Sequence, residues 1–205
     1  MDKRSLPEAR PRTRFLSKDE FKRLLSASAP HLRPLIGMAV ETGMRLEELL
    51  SLKWEQVDLD RREVRLTVTK SSKPRVIPLS DRAVATVAAS PCIAASPYVF
   101  SNPQTGRRYR NLRHSFRKAC SRAGISDFRW HDLRHTFASW HVQSGTDLYR
   151  LSRILGHSTL QMSARYAHLA TEHLHQAVRD MATSMATAAS DISRASPSRD
   201  DTASR

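Results

Sequence analysis

The sequence predicts a mainly α-helical domain that carries one small three-stranded antiparallel β-sheet. Apolar residues recur at helical spacing along most of the chain, and Ser17 with Glu20 forms a capping-box pattern that opens the first helix. Within residues 55–79 the period changes, because Val64 and Leu66 alternate with polar residues and turn formers interrupt the run twice. This change of period predicts a meander of three strands inside an otherwise helical domain.

Helical patterns fill most of the remaining chain. The stretch "TGMR" at 42–45 should separate a second helix from a third, because glycine interrupts the apolar run there. A helical bundle in which 63–79 forms only a loose hairpin is the alternative architecture. We expect helices at about 17–27, 32–41, from 46 onward, 81–89, 110–123, 131–144, 147–155, 159–165 and 171–188.

The predicted domain occupies residues 15–188 and is flanked by two segments that lack a core pattern. Residues 1–14 are basic and rich in turn formers, and we interpret them as a linker or arm. Residues 189–205 are rich in Ser, Ala, Arg and Asp, and we expect a disordered tail there. A chain of 205 residues is long enough for one hydrophobic core without a metal or a disulfide.

The balance of charge indicates the class of partner. The chain has 34 Lys and Arg against 20 Asp and Glu, which gives a formal net charge of +14. Such an excess favours a polyanion, with nucleic acid ahead of a membrane surface, and a basic surface that only aids solubility is the alternative. The sequence has no apolar run of membrane-spanning length and no signal-like start, so we expect a cytoplasmic protein.

The stretch "RWHDLRHTFASW" at 129–140 places His131 and Arg134 on one helical face. A guanidinium offers a planar fork and an imidazole offers a tunable hydrogen bond, so this pair suits a phosphate. His131 and His135 also have the spacing of zinc ligands on a helix, but Asp132 stands where the metalloprotease pattern has glutamate. A zinc hydrolase and a purely structural histidine are therefore the two alternatives.

A second pattern, "TGMRLEELLSLKW" at 42–54, places Arg45 at the break between two helices and Glu48 three residues later. The carboxylate of Glu48 can hold the guanidinium of Arg45 in one orientation. A surface ion pair that contributes about a few tenths of a kcal/mol is the alternative interpretation.

Two lysines, Lys70 and Lys73, lie in the predicted hairpin turn within "TVTKSSKPRVIPL" at 67–79. A lysine on such a turn can reach into a DNA groove or donate a proton in an active site. A charged, solvated turn is the alternative for either residue. Lys70 is favoured over Lys73 as the functional lysine because it directly follows the predicted strand.

The stretch "LGHSTLQMSARYAHL" at 155–169 ends a helix at Gly156, and His157 follows this stop. A short helix from about Thr159 then brings up Tyr166, nine residues after the histidine. A half-buried aromatic side chain is one interpretation of Tyr166, and a tyrosine that is placed to react is the other.

Together and in this order, the patterns resemble those of the tyrosine recombinase, or phage integrase, family, as found in lambda-integrase-like and Xer-like catalytic domains. That family pattern is Arg after Thr-Gly-x with Glu three residues later, a hairpin Lys, His-x-x-Arg, Leu-Gly-His and a Tyr about nine residues on. The resemblance covers about residues 14–175 and implies the catalytic-domain fold of DNA breaking–rejoining enzymes. The matching residues are Arg45, Glu48, Lys70, His131, Arg134, His157 and Tyr166.

The resemblance implies transesterification at a DNA phosphodiester, with Tyr166 as the nucleophile. The product would be a 3′-phosphotyrosyl link and a free 5′-hydroxyl, which a second 5′-hydroxyl would later resolve. The two arginines, Arg45 and Arg134, would neutralise the charge on the phosphate, and His131 and His157 would donate further hydrogen bonds.

The remaining implied roles belong to Lys70, which would protonate the leaving 5′-oxygen, and to Glu48, which would position Arg45. No cofactor is implied, because the reaction needs neither a metal nor ATP. The expected partner is double-stranded DNA, with tetramer formation on DNA through the C-terminal helix and with accessory DNA-bending proteins. The N-terminal core-binding domain of the family is expected to be absent. A type IB topoisomerase-like enzyme and a noncatalytic DNA-binding protein are the alternatives on the same fold.

Overall fold

The computed structural model describes residues 14–67, 74–90, 96–170, 179 and 181–183. Within these ranges the chain is mostly helical with one three-stranded antiparallel sheet, which confirms the predicted fold class. The elements are α1 (Lys18–Ala27), α2 (Arg33–Thr42), α3 (Leu46–Leu50), β1 (Val57–Asp58), β2 (Glu63–Leu66), β3 (Arg75–Pro78), α4 (Asp81–Ala88), α5 (Arg113–Arg122), α6 (His131–Gln143), α7 (Leu148–Leu155) and α8 (Gln161–Ala164), with short 3₁₀ helices at Trp54–Gln56 and Ala167–Ala170.

The helix ends follow the local signals in the sequence. The backbone N–H of Glu20 donates to Ser17 Oγ and the Glu20 carboxylate accepts from the Ser17 N–H, so the predicted capping box opens α1. Helices α2 and α7 end at Gly43 and Gly156, which adopt φ angles of 64° and 66°. This left-handed conformation favours glycine and turns the chain sharply after each helix.

The sheet has the order β1–β2–β3 with antiparallel pairing throughout, which confirms the predicted meander. Val64 pairs with Ile77, and both side chains are fully buried against the helices. The outer strand β1 is only two residues long, and Val76 on the opposite face of β3 is half exposed. The predicted hairpin turn at 68–73 lies outside the described residues.

Helix α6 lies at the centre of the domain and packs against α2 and α7. Nine of its thirteen residues are buried, among them the polar residues Arg134, His135 and Thr136. Polar groups in such a position need partners inside the protein, since burial without hydrogen bonds is unfavourable. Thr136, for example, accepts a hydrogen bond from the backbone N–H of Leu16 and donates to the carbonyl of Asp132.

One predicted helix begins elsewhere in the structure, and another lies mostly outside the described residues. Helix α5 begins at Arg113 rather than near residue 110. The Asn111 side chain accepts a hydrogen bond from the Arg113 N–H, which forms a local turn before the helix. The predicted helix at 171–188 falls mostly outside the described residues, and only residues 179 and 181–183 are seen as helical. No helix among the described residues has the length and apolar character needed to cross a membrane.

Candidate active site

Arg134 anchors the site from the buried face of α6. Its side chain crosses the core, where Nη1 donates to the carbonyl of Gly43 at 2.8 Å and Nη2 donates to the carbonyl of Leu155 at 2.6 Å. These carbonyls belong to the ends of α2 and α7, so the guanidinium lies between the segments that lead to Arg45 and to His157. Each Nη nitrogen carries a second N–H, which can be directed at an anion.

Arg45 stands directly after the turn at Gly43, at the start of α3. The carboxylate of Glu48 accepts from the Arg45 backbone N–H at 2.8 Å and from Arg45 Nη1 at 3.1 Å. Glu48 is buried whereas the Arg45 side chain is about a quarter exposed, so the pair is not a surface ion pair. The guanidinium of Arg45 is therefore held at one edge and open to solvent at the other.

Glu48 also binds a third arginine, Arg75 of β3, which was not among the predicted site residues. Arg75 Nη1 and Nη2 donate to the two oxygens of Glu48 at 3.0 and 2.8 Å, and its Nε donates to the carbonyl of Ile154 at 3.0 Å. Burial raises the pKa of Glu48, but the hydrogen bonds and charges of Arg75 and Arg45 outweigh it, so the pKa is lowered overall. Glu48 is thus a buried carboxylate between two guanidiniums.

The two candidate histidines lie close enough to the arginines to feel their charges. Burial lowers the pKa of His131, and Arg134 and Arg45 lower it further. Burial also lowers the pKa of His157 to about 4, again with contributions from Arg134 and Arg45. Both imidazoles are therefore neutral near pH 7, and each can offer one N–H and one acceptor nitrogen. Four predicted site residues from three separate parts of the chain converge on one region.

His157 is held by its own loop as well. The turn at Gly156 directs it away from the end of α7, and its Nδ1 lies 2.8 Å from the hydroxyl of Ser163, which is fully buried. This contact leaves the Nε2 edge of the ring for other partners, as a histidine that donates to a phosphate requires.

We expect the free energy of unfolding to fall as the pH is lowered from about 6.5 to about 4, and His157 to cause part of this decline. The unfolded imidazole takes up a proton near its ordinary pKa of 6.5, whereas the folded one does so only near 4. Between these values the unfolded state binds more protons, so stability is lost on acidification. Chemical unfolding across this range should show a shallower decline for His157→Asn than for the wild type. If the free energy of unfolding of both proteins declined equally with pH, His157 would not be a cause of the decline.

Tyr166 is almost fully buried and packs in an apolar cluster with Phe137, Leu151 and Leu155. Its hydroxyl lies 2.5 Å from Nδ1 of His135. This contact was not predicted from the sequence, where His135 is a candidate zinc ligand or a structural residue. The Tyr166 side chain therefore lies against α6. Its hydroxyl is hydrogen-bonded to His135, the residue that directly follows Arg134.

The electrostatics around Tyr166 have two opposing contributions. Burial raises the pKa of the phenol, while the charges of Arg165 and Arg134 lower it, and the net pKa is raised. In this state the hydroxyl is therefore protonated at neutral pH. Arg165 was not singled out in the sequence, although its charge also acts on His131 and His157.

The zinc alternative concerns two histidines of α6. The rings of His131 and His135 meet edge to face with centroids 5.0 Å apart, but no group of three or more potential metal ligands occurs among the described residues. The zinc alternative thus finds no third ligand in the described part of the chain.

Lys70 and Lys73 lie outside the described residues, so the choice between them stays a prediction.

A basic and aromatic cavity of about 560 Å³ opens beside His131. Its lining combines three arginines, Arg113, Arg117 and Arg129, with aromatic side chains from the start of α5 and the segment before α6. Leu46, the residue after Arg45, completes the wall. Positive charge therefore continues from Arg45 and Arg134 onto the adjoining surface, where an extended polyanion could bind along it.

Comparison with known proteins identifies the family to which this chain belongs. Residues 14–173 match the phage integrase family, and the chain belongs to that family. The resemblance predicted from the sequence is thereby confirmed.

Individual relatives are about one third identical to this chain over the aligned residues. It is 32% identical over 183 residues to the integrase of Salmonella phage P22, a match that covers 83% of this chain and 47% of the integrase. It is 31% identical to the tyrosine recombinase XerA of Thermococcus kodakarensis, over 85% of this chain and 62% of XerA. The chain thus spans less than two thirds of the length of either relative.

Solved structures show the same architecture. The crystal structure of XerA recombinase has a TM-score of 0.69 and 26% identity, over 85% of this chain and 66% of that chain. The catalytic domain of bacteriophage HP1 integrase has a TM-score of 0.63 and 33% identity, over 80% of this chain and 93% of that chain. The fold is therefore that of tyrosine recombinase catalytic domains, as the sequence implied.

Proposed function

We propose that this chain is the catalytic domain of a site-specific DNA recombinase that cleaves and rejoins DNA through a covalent link to Tyr166. One observation carries the proposal: Arg134 binds the ends of the two helices that lead to Arg45 and to His157, and its charge acts on His157 and on Tyr166. A phosphate is the ligand that two guanidiniums and two neutral imidazoles suit best.

The proposed reaction exchanges one phosphate ester for another. The phenol oxygen of Tyr166 attacks the phosphorus, the bond to the 5′-oxygen breaks, and the phenol proton is lost to solvent or to a nearby imidazole. Arg45 and Arg134 stabilise the negative charge that grows on the non-bridging oxygens. The leaving 5′-oxygen takes up a proton, for which Lys70 is the proposed donor. Because the phosphotyrosyl link conserves the energy of the phosphate ester, the proposed reaction needs no ATP. Because Arg45 and Arg134 supply the positive charge at the phosphate, it needs no metal.

The starting position of Tyr166 implies a movement before the reaction. Its hydroxyl is hydrogen-bonded to His135 and its pKa is raised by burial, so the described state is not the reactive one. We propose that DNA binding releases this contact and brings the phenol to the arginines, whose charges lower its pKa. The tyrosine lies on a short segment after α8, and such segments can move without unfolding the core.

Double-stranded DNA is the proposed partner, because the basic cavity continues the phosphate site and the whole chain carries a net charge of +14. A protein of the same fold, the integrase of transposon Tn1549, was solved in complex with a circular intermediate DNA. We also propose that the functional unit on DNA is a tetramer joined through the C-terminal helix, with DNA-bending proteins as accessories. Residues 15–188 form the catalytic domain in this proposal, between a linker at 1–14 and a tail at 189–205.

The test is covalent trapping on nicked duplex DNA. A pool of duplexes with random sequence around a nick should yield a protein–DNA complex that survives a denaturing gel. The short fragment between the cleavage site and the nick, which carries the 5′-hydroxyl, diffuses away and cannot reverse the reaction. A label at the 5′ end of the cleaved strand should migrate with the protein, whereas a label at its 3′ end should not. Sequencing of the trapped DNA then supplies a defined substrate.

Two outcomes would contradict the proposal. Absence of any covalent complex while the protein binds DNA would indicate a noncatalytic binding protein. Protein attached to the 5′ end of the DNA would indicate a different reaction. Addition of EDTA is the control for the metal-independent chemistry, and it should leave the yield unchanged.

A further inference from the structure

The alternation of side chains along β3 places a charged residue on the buried face of the sheet. Ile77 is fully buried and Val76 is half exposed, so Arg75, two residues before Ile77, points inward with it. The Arg75 side chain is only 5% exposed. A buried charge is unfavourable unless it is paired and hydrogen-bonded, so its position requires specific partners.

Those partners are the segments that carry the proposed phosphate-binding residues. The fork of Arg75 binds both oxygens of Glu48, whose carboxylate in turn binds the backbone and side chain of Arg45. Its Nε binds the carbonyl of Ile154 in the last turn of α7, three residues before His157. One side chain thus joins the sheet, the start of α3 and the end of α7.

Gly156 shows how closely this contact is fitted. A Cβ atom added at Gly156 would lie 2.7 Å from Cδ and 3.0 Å from Nη1 of Arg75, in addition to the strain of a φ angle of 66°. The Gly-His step is therefore adapted to the presence of the Arg75 side chain as well as to the helix end.

We infer that Arg75 is a positioning residue of the active site, which sets the orientation of Arg45 through Glu48 and the placement of the His157 turn through Ile154. This inference rests on the proposed function, because it assigns Arg75 to the same phosphate site. Arg75 does not itself touch the phosphate in this assignment. Its loss misplaces the groups that do, and small misplacements of reacting groups reduce rates strongly.

The experiment compares Arg75→Gln and Arg75→Lys with the wild type in single-turnover trapping on two substrates. One substrate has the ordinary phosphodiester at the cleavage site, and the other has a neutral methylphosphonate there. On the phosphodiester we expect Arg75→Gln to react about 10- to 100-fold more slowly. In the methylphosphonate a methyl group replaces one charged oxygen, so the transition state carries less negative charge for the arginines to stabilise. The ratio of the wild-type rate to the variant rate should therefore be about tenfold smaller on this substrate. Arg75→Lys, which keeps the charge without the fork, should show the same pattern with a smaller loss.

A core variant, Leu24→Ala, separates positioning from stability. Leu24 is fully buried on α1, a helix that packs against α5 and α2, so its replacement should lower the melting temperature through the core rather than through the arginine network. Its relative rate should be the same on both substrates. If both Arg75 variants lose rate equally on the two substrates, as Leu24→Ala does, or lose none, the inference is wrong. Failure of the wild type to form any covalent complex would instead contradict the proposed function.

Discussion

Tyr166→Phe is expected to bind DNA as the wild type does and to form no covalent complex at all. The substitution removes a single oxygen, and that oxygen is the atom that would become bonded to phosphorus. The ring of Tyr166 packs among Phe137 and Leu155, and phenylalanine fills the same space. The effect on the reaction should therefore be complete, while the effect on the fold should be small.

The small effect of Tyr166→Phe on the fold can be measured, because the substitution removes the hydrogen bond between Tyr166 and His135. Loss of the hydroxyl leaves Nδ1 of His135 without that partner, which should lower the free energy of unfolding by about 1–2 kcal/mol. Chemical unfolding of Tyr166→Phe against the wild type gives this difference. A loss of several times that size would mean that the variant has also disturbed the core around it.

The other three tyrosines provide matched controls, because Tyr98→Phe, Tyr109→Phe and Tyr149→Phe remove the same atom elsewhere. Tyr149 is the informative one, since its side chain is 64% exposed and hence the most accessible to DNA. All three variants should trap DNA at the wild-type yield. A complex that survives in Tyr166→Phe and disappears in one of the others would show that the nucleophile has been assigned wrongly.

Local patterns in the sequence predicted most of the fold. The capping box at Ser17, the glycine stops after α2 and α7 and the alternation at Val64 and Leu66 all act through neighbours within a few residues. Such signals can be interpreted without knowledge of the tertiary structure. The predicted start of α5 was wrong by about three residues, because a turn at Asn111 precedes the helix and helical periodicity alone does not mark it.

In the candidate site, too, contacts between residues near in sequence could be predicted, and contacts between distant residues could not. Arg45 with Glu48 was predicted from a spacing of three residues, and the structure forms that pair. The contacts of Arg75 with Glu48 and Ile154 span 27 and 79 residues, and the contact of His135 with Tyr166 spans 31. Nothing local specifies such partners. The one available signal was an arginine in phase with Ile77 on a strand, since a charge at a core-facing position demands a partner from elsewhere.

Replacement of Arg134 should have the second largest effect on the reaction. We expect Arg134→Ala to reduce the rate of covalent complex formation by about 10³-fold or more, in the range found for arginines that stabilise phosphoryl transition states. Arg134→Lys should lose nearly as much. An ammonium cannot bind the carbonyls of Gly43 and Leu155 while it also presents two parallel N–H groups to a phosphate.

The stability of the Arg134 variants should change less than their activity, because two contributions oppose each other. Arg134→Ala leaves two carbonyls at helix ends without their donors, which is destabilising. It also removes a buried charge whose pKa is lowered to about 9 by burial and by the neighbouring charges of Arg45 and Arg75, and this relieves a desolvation cost. Thermal unfolding should therefore show a moderate decrease in melting temperature.

Arg33 supplies the matched control for an arginine that binds backbone carbonyls. Its Nε donates to the carbonyl of Ser28 at 2.9 Å, at the opposite end of α2 from the site. Arg33→Lys should leave both the trapping rate and the DNA affinity close to those of the wild type. Single-turnover trapping with saturating protein measures the chemical step, and fluorescence anisotropy measures DNA affinity, for which Arg134→Lys should differ little. A trapping rate for Arg134→Lys within about tenfold of the wild type would show that a point charge suffices and that the guanidinium fork has no special role.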